Sequence, residues 1–321
     1  MYSSQGNSVM NASIFVQIAA YRDPELLATI RSAVDNASNP QRLVFGVCWQ
    51  YIPGLDEYLL FPSELDANIR LVAVPVEQAQ GVCWARHVAQ NLYRDEDYVL
   101  SVDSHTRFVA NWDRLMIEEL TRCPSDNPVL TTYPAPFRAQ TSLTSMPIAR
   151  LKVGPVMDGS VRFEPFFDAD TIQTTAPIAS HLCACGFYFA RGQLNHDLPI
   201  DPIMYFNQEE FTHSLKLWTL GYDCFIPSQH LVLHQYGNEK PVFEQNVHWN
   251  DDAKWVALNT RAQIRLRALI EHTFDPAHDS FPVEHFPLGK ARTTSQYLSL
   301  LALEYRNGEL YSLATDTKAT R

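Results

Sequence analysis

The stretch YVLSVDSH, Tyr98 to His105, is an apolar run that ends on an aspartate and, two residues on, a histidine. Alternate residues of an extended chain point the same way, so Asp103 and His105 offer a hard oxygen and a borderline nitrogen to one side. Such a mixed pair, completed by substrate oxygens, suits Mn²⁺ better than structural Zn²⁺, which prefers four protein ligands. A solvated turn with an ordinary aspartate cap yields the same two residues, so further signals are needed. His230 and His234 sit in HLVLHQYG among apolar and aromatic neighbours; a lone histidine there is more often a satisfied core residue than a ligand. Gly81 opens a helix onset, GVCWAR, whose first turns let Arg86 reach a diphosphate, although a surface salt bridge explains Arg86 equally simply. Glu209 and Glu210 begin EEFTHSLKLWTLGYD, where the helix dipole alone accounts for acids in the first turn.

Those residues have to be placed by regular elements. IFVQIAA (Ile14 to Ala20), LVFGVCWQ (Leu43 to Gln50), IRLVAVPV (Ile69 to Val76) and YVLSV (Tyr98 to Val102) read as buried strands. They alternate with helices: one after Asp23 as N-cap and Pro24 as first helical residue, one over Val82 to Tyr93 and one over Trp112 to Cys123. Another strand is expected near Val129 to Tyr133. The alternation predicts an α/β fold with a mostly parallel sheet flanked by helices, in which ligands bind beyond the carboxyl ends of the strands. Asp23, Gln50 and Asp103 all fall at or just past such ends. Pro134 to Ala179 lacks periodicity and reads as a long irregular excursion. Strand character returns at His181 to Ala190, a helix at Phe206 to Leu220 and a short strand at Cys224 to Pro227. A long helix, Trp255 to His272, with Arg261, Arg265 and Arg267 exposed, and a last one, Ser295 to Tyr305, predict a C-terminal helical extension. The expected domains are therefore a disordered N-terminus at 1–12, a catalytic domain at 13–249 and the extension at 250–321.

Composition narrows the partners. With 25 Lys and Arg against 36 Asp and Glu, the 321-residue chain carries a formal charge of −11, which gives no footprint for nucleic acid or anionic lipid. A phosphate ligand would need a local device. No apolar run reaches membrane-spanning length, and the polar start lacks a signal-peptide pattern, so a cytoplasmic location is expected. Six cysteines without paired spacing read as reduced and mostly buried.

The segments SIFVQIAAYRDPELLATIRSAVDNA, FGVCWQ, AQGVCWARHVAQ and YVLSVDSHTRFVANWD resemble the GlcNAc-transferase family, which includes the cytoplasmic enzymes that transfer GlcNAc from UDP-GlcNAc to hydroxyproline of Skp1. A remoter similarity is to the polypeptide GalNAc-transferases, whose order of an arginine helix, Asp-x-His, an acidic helix and a third metal-ligating histidine reads here Arg86, Asp103, His105, Glu209 with Trp218, then His234. The likeness covers roughly Ser13 to Gly237. It implies a GT-A fold, the Rossmann-like architecture of nucleotide-diphospho-sugar transferases. It also implies Asp103, His105 and His234 as ligands of Mn²⁺ (or Mg²⁺), Arg86 on the nucleotide side and Glu209, with Glu210, facing the sugar and acceptor. Tyr21, Arg22 and Asp23 look like the nucleoside pocket; Gln50 is a candidate for the base, and Ser104 joins the UDP-sugar contacts. The relatives' Trp-Gly-Gly-Glu-Asn is replaced by Phe206-Asn207-Gln208-Glu209-Glu210, which leaves the acceptor, protein or glycan, and the sugar open.

The implied activity is a metal-dependent retaining glycosyltransferase moving GlcNAc or a related sugar from a UDP-sugar to an acceptor hydroxyl, protein hydroxyproline among them. A nucleotide-sugar hydrolase or nucleotidyltransferase using the same metal-diphosphate geometry is one rival, and a non-catalytic sugar- or protein-binding module is another. Transfer of labelled sugar to an acceptor rather than to water separates the first; Mn²⁺-independent affinity for UDP would support the second. The oligomeric state is not legible.

Overall fold

The computed structural model describes residues 12–56, 69–137, 146–157, 159–168, 174–236, 246–251, 253–273 and 285–313. The expected N-terminal tail therefore lies, apart from Ala12, outside the described residues. Strands β1 (Ile14–Tyr21), β2 (Leu43–Tyr51), β3 (Ile69–Pro75) and β4 (Tyr98–Asp103) are joined through helices α1 (Leu26–Asn36) and α2 (Val82–Gln90). β1, buried almost throughout, lies between β2 and β4 and pairs with both in parallel. The register sets Ala19 opposite Asp103 and Tyr21 opposite Gln50, so three neighbouring strands deliver their last residues to one edge.

Past Asp103 the chain turns into β5 (Thr106–Phe108), α3 (Trp112–Thr121), β6 (Pro128–Thr131) and the short β7 (Ala135–Pro136). Within the excursion expected to be irregular, β8 (Arg150–Met157) and β9 (Ser160–Phe166) form an antiparallel hairpin. β10 (Ile178–Ser180), β11 (Phe187–Arg191), α4 (Gln193–Asp197), α5 (Glu209–Leu220), β12 (Asp223–Ile226) and β13 (Val232–His234) follow. The main sheet runs β10-β12-β6-β11-β4-β1-β2-β3, with β11 antiparallel to both neighbours. A second sheet, β5-β13-β7, pairs His234 with Thr106. That register carries a histidine from a distant segment to the turn that follows Asp103.

Several expected boundaries move. The His181 to Ala190 strand starts only at Phe187, because the Cys183 amide donates to Ser214 Oγ (2.8 Å) and the Ala184 amide to Thr131 Oγ1 (2.9 Å) instead of a ladder. The helix expected from Phe206 begins at Glu209. Near the first helix, Asp23 Oδ1 accepts the Glu25 amide at 2.9 Å, and regular helix starts only at Leu26.

Toward the C-terminus come α6 (His248–Asp251), α7 (Trp255–Glu271) and α8 (Thr294–Leu300). The last expected helix is cut short: Thr293 and Gln296 close a capping box at its start, and beyond Leu300 the chain forms a hairpin of β14 (Leu303–Arg306) and β15 (Glu309–Ser312). Leu266, Leu269, Tyr297 and Leu310 share an apolar cluster with Phe211 and Leu215 of α5. Arg265, expected to be exposed, is fully buried against Asp201. No helix among the described residues is long and apolar enough to cross a membrane.

Candidate active site

The strand ends, the second sheet, the β8–β9 hairpin and α6 enclose a cavity of about 570 Å³. Every residue expected at the site lines it except Arg22. Arg22 turns away at a left-handed φ of 49°, its Nε 3.1 Å from Asp56 Oδ2. Its carbonyl accepts Asn246 Nδ2 at 2.7 Å, which brings the start of α6 against the end of β1.

Asp103, His105 and His234 can each present a ligand atom within 4.8 Å of the other two. His234 Nε2 stands 3.0 Å from Asp103 Oδ2, and the two imidazole rings meet edge to face at 4.6 Å. Behind them, Asp23 Oδ2 takes Ser104 Oγ at 2.5 Å and His105 Nδ1 at 2.7 Å. A carboxylate on one imidazole nitrogen fixes the tautomer and leaves the other nitrogen to a cation. Asp23 thus supports His105, and Ser104 is bound to Asp23.

Arg86 lies under this group, 4% exposed. Its Nη2 contacts Asp103 Oδ1 at 2.7 Å, its Nη1 donates to Ser101 Oγ at 3.0 Å and its Nε is 2.7 Å from Glu209 Oε1. Nη1 and Nη2 are hydrogen-bonded within the protein, and Nε is paired with Glu209 by charge and proximity without the alignment of a hydrogen bond. Burial pushes the Asp103 carboxyl up, but Arg86, His234 and His105 outweigh it and hold it well below the usual carboxylate range. Glu209 moves the other way, burial raising it more than Arg86 lowers it. Burial, opposed by the Tyr133 hydroxyl that donates to Oε2 at 2.6 Å, leaves Glu210 pushed up to about 7. The site therefore holds two carboxylates shifted toward ionisation, Asp103 and, through His105 and Ser104, Asp23, beside two that accept protons more readily than usual.

The donor set fits a divalent cation: one oxygen and two imidazole nitrogens, a buttressed histidine and room at the carboxylate. The room comes from Gly186, just before β11, where an added Cβ would lie 2.6 Å from Asp103 Oδ2. At the other end Gln50, 2% exposed, donates Nε2 to the Ala20 carbonyl at 3.2 Å, while its buried Oε1 has no hydrogen-bond partner among the described residues. An orphaned acceptor in a cavity wall calls for a donor such as a base N–H.

Other wall residues carried no signal in the sequence. Tyr133 follows β6 and Gly186 precedes β11, while Tyr236, two residues past His234, packs its ring 4.3 Å from that imidazole. Val161 and Phe163 come from the unrecognised hairpin. Phe206 and Trp249 are exposed, with their rings 4.9 Å apart; Phe206 lies just ahead of the helix that was expected to include it, and Trp249 comes from a stretch with no expected element. His230 instead bonds the Met146 carbonyl (2.9 Å), and Trp218 packs on Tyr297 at 5.7 Å.

A family model described as Glycosyltransferase (GlcNAc) matches residues 13–58 and 56–307. No curated protein matches the sequence. Among solved structures, GalNAc-T7 with UDP, GalNAc and Mn²⁺ aligns with a TM-score of 0.59 at 14% identity, over 91% of this chain and 56% of that one. The chain therefore spans little more than half of that relative's length. S. aureus TarS 1–349 aligns at a TM-score of 0.48 and 13% identity, over 83% of this chain and 68% of that one. The same TarS segment in complex with UDP-GlcNAc gives 0.46 and 14%, over 83% and 69%. At such identities the likeness is one of fold, and only the first of the three exceeds a TM-score of 0.5.

Proposed function

The chain belongs to the glycosyltransferase (GlcNAc) family, and from that premise we propose that it moves GlcNAc, or a related sugar, from a UDP-sugar to an acceptor hydroxyl. Asp103, His105 and His234 would hold Mn²⁺ or Mg²⁺ at the donor's diphosphate. The observation that carries this reading is the convergence of three side chains from distant segments, with ligand atoms within 4.8 Å of one another, on a cavity of about 570 Å³. That volume lies in the range of small-ligand sites. A bound divalent ion would act as a Lewis acid, neutralising charge that develops on the leaving diphosphate.

The protein's own groups have distinct parts in this proposal. Arg86 aligns Asp103 and keeps it ionised, and its positive charge would add to the stabilisation of the diphosphate. Asp23 holds His105 through Nδ1, which would leave Nε2 to ligate the ion. Gln50, with Tyr21, takes the base, the orphaned Oε1 accepting an imide N–H. Glu209 and Glu210 orient hydroxyls of sugar and acceptor. In a retaining course the bond from the anomeric carbon to the phosphate oxygen breaks as the acceptor oxygen bonds on the same face. The acceptor's proton then passes to the departing phosphate oxygen, so no separate general base is needed. Prolyl hydroxyls of proteins are the first acceptors to try, with glycans second, and a cytoplasmic setting accords with that choice.

The test is transfer of labelled sugar from UDP-GlcNAc, UDP-GalNAc and UDP-Gal to hydroxyproline peptides and to oligosaccharides, with Mn²⁺ and with chelator. Expected are Mn²⁺-dependent transfer by the wild type and none by a folded Asp103→Asn variant, with the donor's anomeric configuration kept in the product. Release of free sugar whatever acceptor is supplied would identify a hydrolase instead.

A further inference from the structure

We infer that α7, in the C-terminal part of the chain, is a positioning element of the active site, acting through the buried pair Arg265–Asp201; the inference rests on the glycosyl-transfer reading above. Arg265 Nε lies 2.7 Å from Asp201 Oδ2, and the two side chains are 0% and 1% exposed. A buried ion pair is weak evidence for stability, because apolar residues of the same volume serve as well. What such a pair does supply is direction, since the planar guanidinium accepts a carboxylate from few angles.

The direction is passed on. The other carboxylate oxygen of Asp201 accepts the Ile203 amide at 3.1 Å and its carbonyl accepts the Met204 amide at 3.2 Å, forming the turn that opens the segment leading to α5. That segment places Tyr205 and Phe206 in the cavity wall and ends at Glu209, 2.7 Å from Arg86, which holds Asp103 at the same distance. A second tie joins α7 to it, Gln208 Nε2 donating to Asn259 Oδ1 at 3.3 Å. Phe286 packs between the two helices, with Arg265 at 5.8 Å and Lys216 of α5 at 5.5 Å from its ring. A relay of three ion pairs and one turn thus runs from α7 to the carboxylate beside the candidate ion. Displacements of about 1 Å at a reacting centre are costly for catalysis.

The experiment compares Arg265→Met with wild type by UDP-sugar turnover, thermal melting and amide hydrogen exchange. At a temperature below both melting points, Arg265→Met is expected to lose at least about tenfold in kcat, with donor KM changed less than about threefold. Exchange should speed at least about tenfold in 201–210 and stay unchanged in β1 and β4. Arg265→Lys, which keeps a charge facing Asp201, should recover at least about a third of kcat. Should Arg265→Met fail to fold, Asn259→Ala removes only the second tie and is expected to show the same local exchange with a smaller loss of kcat. Wild-type kcat with unchanged exchange in a folded variant overturns the inference, as does a faster exchange spread evenly over the sheet. If the wild type itself turns over no UDP-sugar, the transfer reading fails, and the exchange pattern alone decides whether α7 governs this segment.

Discussion

A Cβ built on Gly186 lies 2.6 Å from Asp103 Oδ2, the oxygen that faces His234. Carbon and oxygen cannot share that distance, so Gly186→Ala must push the carboxylate off its line. The expected result is at least about a tenfold weaker affinity for Mn²⁺ by calorimetry, with the melting point shifted by only a few degrees. Glu210 yields a prediction of opposite kind. Its carboxyl is pushed up to about 7 by burial from an ordinary value of 4.5. The folded state therefore binds a proton that the unfolded state has released above pH 4.5. The stability this contributes is complete below pH 4.5 and is lost as pH rises through about 7. Wild type should lose on the order of 2 kcal/mol between pH 5 and 8 that Glu210→Gln does not lose, as read from urea unfolding at the two pH values. Asp103, His105 and Arg86 were legible because each follows a strand or opens a helix. Gly186 was not, because its contribution is the absence of a side chain.

At the scale of elements, α2 starts from Gly81, whose φ of 97° and ψ of 179° belong to glycine, and whose added Cβ would meet the Tyr205 ring at 2.4 Å. Gly81→Ala should cost about 2 kcal/mol or more in denaturant unfolding. It should also lower activity, because Arg86 rides on that helix. Strands β1, β2 and β4 were readable as apolar runs, and their parallel order followed from the helices between them. The hairpin β8–β9 was hidden by Gly154, Pro155 and Pro165, which break the alternation that marks a strand, and by partners within the same excursion. HLCACG looked like a strand because it is apolar and buried, yet side-chain hydroxyls from Thr131 and Ser214 take its amides. Periodicity reports burial; it does not report which acceptor an amide finds.

For the whole molecule, the meeting of His234 with Asp103 depends on pairings between segments far apart in the chain, β13 with β5 and β4 with β11. Residue spacing alone does not encode that meeting, and the resemblance supplied it. The C-terminal part shares an apolar cluster with α5 and sends Arg265 to Asp201, so it packs against the helix that begins at Glu209 and against the segment that precedes it. The account stands on one cation at the strand ends. The most direct measurement is the anomalous difference map of crystals grown with Mn²⁺ and UDP. A single Mn²⁺ peak about 2.0 to 2.5 Å from Asp103, His105 and His234 together, with the diphosphate on its open side, is the predicted result. A diphosphate bound in the cavity with no metal at these three side chains would contradict it.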